Sequence, residues 1–316
     1  MVELTSKQFE LDSVAEAIEF CYERGWTDGL PVVPPTAERV AAFLERCGRQ
    51  PGDVLGEVPQ RNRTITAEKV AINAVMAGCL PEYAPIVVTA VEAMTDETFN
   101  LPGNQNSTGG AAIMVIVNGP IVDEVGLNYG VNAMGSGHRA NATIGRALRL
   151  VMINVCGGVS GTLDKSVFGW PGKYSFCVAE NEHLADWQPL HVERGLEPGS
   201  SAVTVFAALA PHQVTEGKAA TAQDLFERVA SDIRAIRRSG YFGVVLCPEH
   251  VRVVARAGWS KRQAREFLAA NAAENLVNGP DSVLLIGTGG EAGGFFAIVP
   301  PWGPAGGSQP VTRTVQ

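Results

Sequence analysis

The sequence of 316 residues contains no C-x-x-C pair among its six cysteines, at 21, 47, 79, 156, 177 and 247. Such scatter argues against a zinc ribbon or a disulfide framework and predicts reduced thiols in the cytosol. No uninterrupted apolar run approaches the length that spans a bilayer. The first residues, with Glu3, Lys7, Glu10 and Asp12, lack the basic-then-apolar pattern of a secretory leader, so neither secretion nor membrane insertion is expected. The eight-residue step from His183 to His191 fits no compact metal motif. The glycine-bearing loops carry neither a Walker lysine nor dinucleotide-fingerprint spacing, so no metal and no cofactor is expected. No convincing internal repeat is visible.

Positive charge is also scarce, and unevenly so. The formal net charge is −8, which argues against nucleic acid as a partner, because that binding rests on phosphate neutralisation by Lys and Arg. Residues 1 to 60 hold eleven acidic and five basic side chains, and no Lys or Arg lies between Lys69 and Arg139. From Tyr129 to Ser175 the sign reverses, with Arg139, Arg146, Arg149, Lys165 and Lys173 against Asp164 alone. That distribution suits a pocket for a small anion, and equally a solvated positive face.

What the chain does have is a dense stretch from Thr66 to Met94, where two apolar helical patterns meet at Ala77-Gly78-Cys79-Leu80-Pro81-Glu82. Gly78 suits the left-handed end of the first helix. Cys79 stands where Ser or Thr would cap the second, with Pro81 in its first turn and Glu82 at the reaching-back position of a capping box. A thiol there faces unpaired N–H groups and the positive end of a helix dipole, both of which favour thiolate. The competing reading is a small apolar plug in a tight helix junction.

Elsewhere, residues 10 to 24 predict an amphipathic helix. Pro31 to Pro35 must run extended, and Thr36 caps a helix reaching about Cys47. The Trp26 to Thr36 segment either walls a pocket or straps the first helix to the core. Asn100 to Gly110 is expected as a polar loop before the strand Ala111 to Val117 and the turn Asn118-Gly119-Pro120. Gly135-Ser136-Gly137 runs into a helix on which His138, Arg139, Asn141 and Arg146 could converge on a carboxylate or phosphate. The competing partners for those arginines are Glu180 and Glu182. Gly161 to Lys173 is a long loop, suited to a lid. Glu180 to His183 is expected to open a short helix, with His191 on a connecting segment.

A composition shift near Glu197-Pro198-Gly199-Ser200 predicts two layered α/β subdomains with mixed sheets flanked by helices, divided as 1–198 and 199–316. The second holds strands at Ala202 to Leu209, Tyr241 to Cys247 and Ser282 to Gly287, and helices at Thr221 to Arg238, His250 to Ala257 and Ser260 to Ala273. Cys247-Pro248-Glu249-His250 lies at a strand's carboxyl end, where sites of such folds gather, and combines a candidate nucleophile with proton carriers. Gly287 to Gly294 is a glycine-rich loop able to approach a ligand with its backbone. The tail after Pro304 is expected to be ordered only if another element holds it.

The segments Thr27-Asp28-Gly29-Leu30-Pro31-Val32-Val33-Pro34-Pro35-Thr36, Ala74 to Glu82, Arg139-Ala140-Asn141-Ala142-Thr143-Ile144-Gly145-Arg146 and Gly258-Trp259-Ser260-Lys261 together resemble a largely uncharacterised bacterial family. That family is associated with small (seleno)proteins bearing a Sec-Gly-Ser-Cys motif. This chain lacks the motif, so the resemblance implies an enzyme or enzyme subunit, with a small (seleno)protein as possible partner, and carries over no selenol chemistry. The expected function is a cysteine-dependent enzyme, a lyase or oxidoreductase, that cleaves, reduces or eliminates at a carbon-heteroatom bond of a small anionic metabolite bearing a carboxylate or phosphate. Cys79 would be the nucleophile, His138 and Glu82 would carry protons, and Asn118, Arg139, Asn141, Arg146 and Lys173 would bind substrate. Cys247, Glu249 and His250 form the second candidate site. The alternative is a non-catalytic subunit that binds an anion or positions a partner. A homo-oligomer is expected in either case.

Overall fold

Hydroxyl groups fix where many of the helices begin. In the computed structural model, which describes residues 3–273, 275–291, 293–304 and 307–316, Ser13 accepts the Glu16 N–H and opens α1 (Val14–Glu23). Thr36 does the same for α2 (Ala37–Arg46). A hairpin of β1 (Val54–Val58) and β2 (Arg63–Thr66) follows, and Thr66 then caps α3 (Ala67–Ala77). α4 (Ala84–Met94) is buried on nearly every side. The expected loop from Asn100 is instead partly helical, as α5 (Leu101–Asn106). Asn100 adopts a left-handed conformation and its side chain accepts the Gly103 N–H, which starts a helix in a polar sequence.

After β3 (Ala112–Asn118) come α6 (Ile121–Glu124), α7 (Arg139–Asn154), β4 (Cys177–Ala179) and α8 (Leu190–Glu193). Glu180 to His183 opens no helix. The Glu180 N–H extends the β4 ladder to the Val117 carbonyl and the Asn181 N–H bonds to the Gly287 carbonyl, so these backbones are committed to sheet edges. His191 belongs to α8 and is fully buried, not on a connecting segment.

The remaining elements are β5 (Ala202–Ala208), β6 (His212–Thr215), α9 (Ala222–Ile236), β7 (Phe242–Leu246), α10 (Pro248–Arg256), α11 (Lys261–Asn271), β8 (Val283–Gly287), β9 (Phe295–Val299) and β10 (Val311–Thr314). Thr221 and Ser260 each form a full capping box, starting α9 and α11. The result is an α/β fold with two mixed four-stranded sheets, ordered β10-β5-β3-β4 and β6-β9-β7-β8. Among the described residues no helix is long and apolar enough to cross a membrane.

The sheets pack face to face. Met114, Ile116, Val178 and Phe206 of the first meet Val245, Leu284, Ile286 and Val299 of the second, giving one shared apolar layer. Their outer faces bury under α3, α4 and α7 on one side and α9, α10 and α11 on the other. Because strand side chains alternate, β3 sends Ile113, Val115 and Val117 outward to the helices and Met114 and Ile116 inward to the partner sheet.

The two sheets also repeat one arrangement. In each, a central strand (β3, β7) has a parallel neighbour (β4, β8) on one side and an antiparallel one (β5, β9) on the other. The chain leaves β5 to place β6 at the edge of the second sheet, and leaves β9 to place β10 at the edge of the first. The two crossings touch, with the Leu209 N–H on the Pro300 carbonyl and the Trp302 N–H on the Ala207 carbonyl. The division expected at residue 198 is therefore not where the sheets divide, since β5 and β10 both complete the first. The tail is held by β10, as its ladder with β5 requires.

Candidate functional site

Cys79 ends a helix and does not begin one. Gly78 takes φ +96° and donates to the Val75 carbonyl, while the Cys79 N–H donates to the Ala74 carbonyl at 3.0 Å, a Schellman closure of α3. The next turn starts from Leu80, with no side-chain cap, and Glu82 is exposed outside any capping box. The Cys79 thiol turns toward α7 and donates to the Thr143 carbonyl at 3.3 Å. Burial pushes its pKa up to about 12 against the pull of Arg139 and Arg146, so the sulfur is a thiol at neutral pH. The expected thiolate fails because burial outweighs the nearby cations.

The expected anion clamp is likewise spent within the protein. Arg139 donates through Nε and Nη2 to the Gly78 carbonyl, at 3.0 and 2.9 Å, and so caps α3. Arg146 forks onto Asp28 and also reaches the Leu30 and Pro31 carbonyls. Arg149 and Lys173 share Asp164, with N–O distances of 3.1 and 2.6 Å. Asn141 holds the Asn128 backbone through both its amide oxygen and its amide nitrogen. His138 precedes α7 without capping it and is exposed. These residues pin α7 to its neighbours, and they do not form one anion cradle. Their acids are Asp28 and Asp164, not Glu180 or Glu182.

Asn118 belongs to a different constellation. Its Nδ2 donates to Glu180 Oε2 at 2.7 Å and to Glu182 Oε1 at 2.9 Å. Glu180 Oε2 also accepts the Leu190 N–H, and its Oε1 pairs with Lys261 from α11. Lys261 lies 3.7 Å from Glu193, which binds Arg265 at 3.1 Å. Burial raises the Glu193 carboxyl despite both cations. His191 sits beside this cluster with Nδ1 3.7 Å from Glu182, and burial lowers its pKa. The sequence pattern assigns no role to the buried side chains of Lys261, Arg265 and Glu193. Ser260-x-x-Gln263 announces a helix start there, but nothing in the pattern says that its first residue points inward.

The second cysteine site holds together better. Cys247 immediately follows β7 and occupies the position before α10. Its sulfur accepts the Phe295 N–H at 3.3 Å. Burial raises the thiol pKa and the adjacent Glu249 adds to that, while the His250 and Phe295 amides oppose it; the His250 amide does so without completing a cap hydrogen bond. Glu249 accepts the Gly293 N–H at 3.0 Å through Oε1, and its Oε2 is buried with no hydrogen-bond partner. Burial pushes that carboxyl up, but the Gly293 amide, its own amide, the thiol and Arg252 hold it below the usual range. His250 is turned away, with Nε2 2.7 Å from the Glu216 carbonyl. Arg252, one helical turn beyond Glu249, bonds Glu291 at 2.9 Å on the exposed surface.

The parallel strands β3, β4, β7 and β8 all end on this side, where the Asn181 N–H reaches the Gly287 carbonyl and the Gly289 N–H reaches the Tyr129 carbonyl. Among the described residues no three His, Cys, Asp or Glu side chains converge as metal ligands would. No protein-family model matches the chain, and no curated protein matches it.

Proposed function

We propose that the chain is a cysteine-dependent enzyme acting on a small anionic metabolite at a carbon-heteroatom bond, with Cys247 as its nucleophile. The supporting observation is that Cys247, whose sulfur accepts the Phe295 N–H, stands two residues before Glu249, whose carboxylate keeps one buried oxygen unpartnered and whose pKa the thiol helps to lower. Glu249 takes the thiol proton as sulfur attacks carbon. The C–S bond forms while the carbon-heteroatom bond breaks, and the proton passes from Glu249 to the departing heteroatom. Water then releases the carbon and restores the thiol. Arg252 supplies the anion preference, because its ion pair with Glu291 lies on the exposed surface, is screened by solvent and yields readily to a substrate carboxylate.

The test compares alkylation of the six cysteines by iodoacetamide and by iodoacetate from pH 6 to 9, read by peptide mass spectrometry. Cys247 should react first, Glu249→Gln should slow it, and Arg252→Gln should lower the iodoacetate rate more than the iodoacetamide rate. A Cys247 no faster than the other thiols removes the nucleophile from this reading.

The alternative, a non-catalytic subunit that positions a partner, draws on Phe168, which is 97% exposed beside the exposed Val167 in the loop before β4. It matches the resemblance to a family associated with small (seleno)proteins. Inert thiols together with a partner that copurifies through this loop, and is lost in Phe168→Ser, would favour it.

A further inference from the structure

A cavity of about 790 Å³ lies between the N-terminal arm with α1 on one side and α2 with α3 on the other, remote in sequence from Cys247. Its walls are apolar. Phe9, Phe20 and Trp26 pack ring against ring at centroid separations of 5.0, 6.0 and 5.8 Å, and Ile72 and Met76 of α3 face them across the space. Val14 lines the same cavity and is left 67% exposed, so the fold itself does not bury this surface.

The polar groups of the lining divide into spent and available. Glu68 accepts the Thr5 and Ser6 N–H groups and the Thr5 hydroxyl, at 3.0, 2.8 and 2.6 Å, which ties the arm over the cavity. Asn154 Nδ2 donates to Asn73 Oδ1 at 2.7 Å, and Asn73 Nδ2 donates to the Lys69 carbonyl at 2.8 Å. Lys7 and Lys69 remain. Both line the cavity, the Lys7 ammonium stands 4.9 Å from the Phe9 ring centroid, and neither lysine is in an ion pair among the described residues.

We propose that this cavity binds an amphipathic monocarboxylate of the fatty-acid class, with its apolar body against the aromatic wall and α3 and its carboxylate at the lysine rim. The volume falls in the range of small-molecule sites, about 300–1,000 Å³. The lining offers a hydrocarbon guest no unsatisfied buried acid or amide, and the free charge at the edge is positive.

Isothermal titration calorimetry of the full chain with sodium dodecanoate, below its micellar concentration, tests this. One saturable site per chain is expected. Dodecan-1-ol should bind about fivefold more weakly, and the Lys7→Gln/Lys69→Gln variant should bind the two probes alike. Ala17→Trp, which fills the cavity from α1, should abolish uptake while circular dichroism stays unchanged. Absence of saturable dodecanoate binding to the wild-type chain overturns the proposal, as does undiminished binding to Ala17→Trp. Equal affinity for the alcohol and the carboxylate overturns the ligand class. If sedimentation shows a dimer that Ala17→Trp dissociates, and dodecanoate does not bind, the cavity is an interface between copies and the proposal fails. None of these readouts depends on Cys247.

Discussion

Arg146 grips Asp28 through two parallel hydrogen bonds, Nε and Nη2 each standing 2.8 Å from a carboxylate oxygen. The pair is mostly shielded, and the same guanidinium reaches the carbonyls of Leu30 and Pro31. It fastens the proline-rich strap, which also bonds through the Val33 N–H to the Met76 carbonyl, onto α7 and α3. The strap and the pocket wall anticipated as alternatives are one segment, since Trp26, Pro34 and Pro35 line the N-terminal cavity.

Arg146→Ala leaves Asp28 without its partner and should destabilise the fold by about 3 kcal/mol. Arg146→Lys should recover only part, because an ammonium cannot make the fork. The measurement is the urea midpoint at unchanged m-value. Were Arg146 a substrate clamp, stability would hold while ligand affinity fell.

Cys79 makes a prediction with a definite sign. Its folded-state pKa of about 12 lies above the ordinary 9.0, so the folded state keeps a proton that the unfolded state gives up. That contribution to stability is complete below pH 9 and is lost as pH rises toward 12. Cys79→Ala should cost about 1 kcal/mol at pH 7 and should lose less stability than the wild type between pH 8 and 11. Iodoacetamide at pH 7 should leave Cys79 unmodified in the native protein. Rapid labelling there would restore it as a nucleophile.

Much of the local structure was legible in the sequence. Gly78 ends α3, Thr36, Thr221 and Ser260 begin helices, and Leu225, Val229 and Ile233 face inward from α9, because these features depend on neighbours a few residues apart. Cys247 at a strand end leading into a helix was legible for the same reason. Long-range pairing was not. Arg146 lies 118 residues from Asp28 and Lys261 lies 81 from Glu180, and charge pattern alone does not select a partner. At Cys79 the ambiguity is local. The Cys79 backbone N–H, on the residue directly after the Schellman glycine Gly78, cannot both close α3 and take the Glu82 carboxylate of a capping box, and the sequence fits both until that N–H is assigned to Ala74.

Asp164 should set an acid limit for the loop between α7 and β4. Burial pushes its carboxyl up, but Lys173 and Ser166 outweigh that and hold it down at about 2, against an ordinary 3.8. Its contribution is therefore present above pH 4 and lost as pH falls through 2. Asp164→Asn should remove that acid-dependent component and cost about 3 kcal/mol at pH 7, because Arg149 and Lys173 are then left partly buried without their acid. Limited proteolysis should show faster cleavage within residues 159–174 in the variant, and unchanged cleavage would mean the loop is held by other contacts.

Lys261 ties α11, under the second sheet, to Glu180 at the end of β4 in the first, and both side chains are removed from solvent. Two buried charges lose their hydration to make this contact, so the pair itself adds little net stability. Removing one member is costly, because it strands the other. Lys261→Met should destabilise by about 3–5 kcal/mol, with Glu180 and Glu193 both losing their nearest ammonium. Adding Glu180→Gln should restore a substantial part of that loss, since a neutral amide removes the stranded charge while its oxygen can still accept from Asn118 and Leu190. A double-mutant cycle on urea midpoints separates the two terms. Strict additivity would show that the two charges act independently, and that the contact across the sheets plays no part in holding them in register.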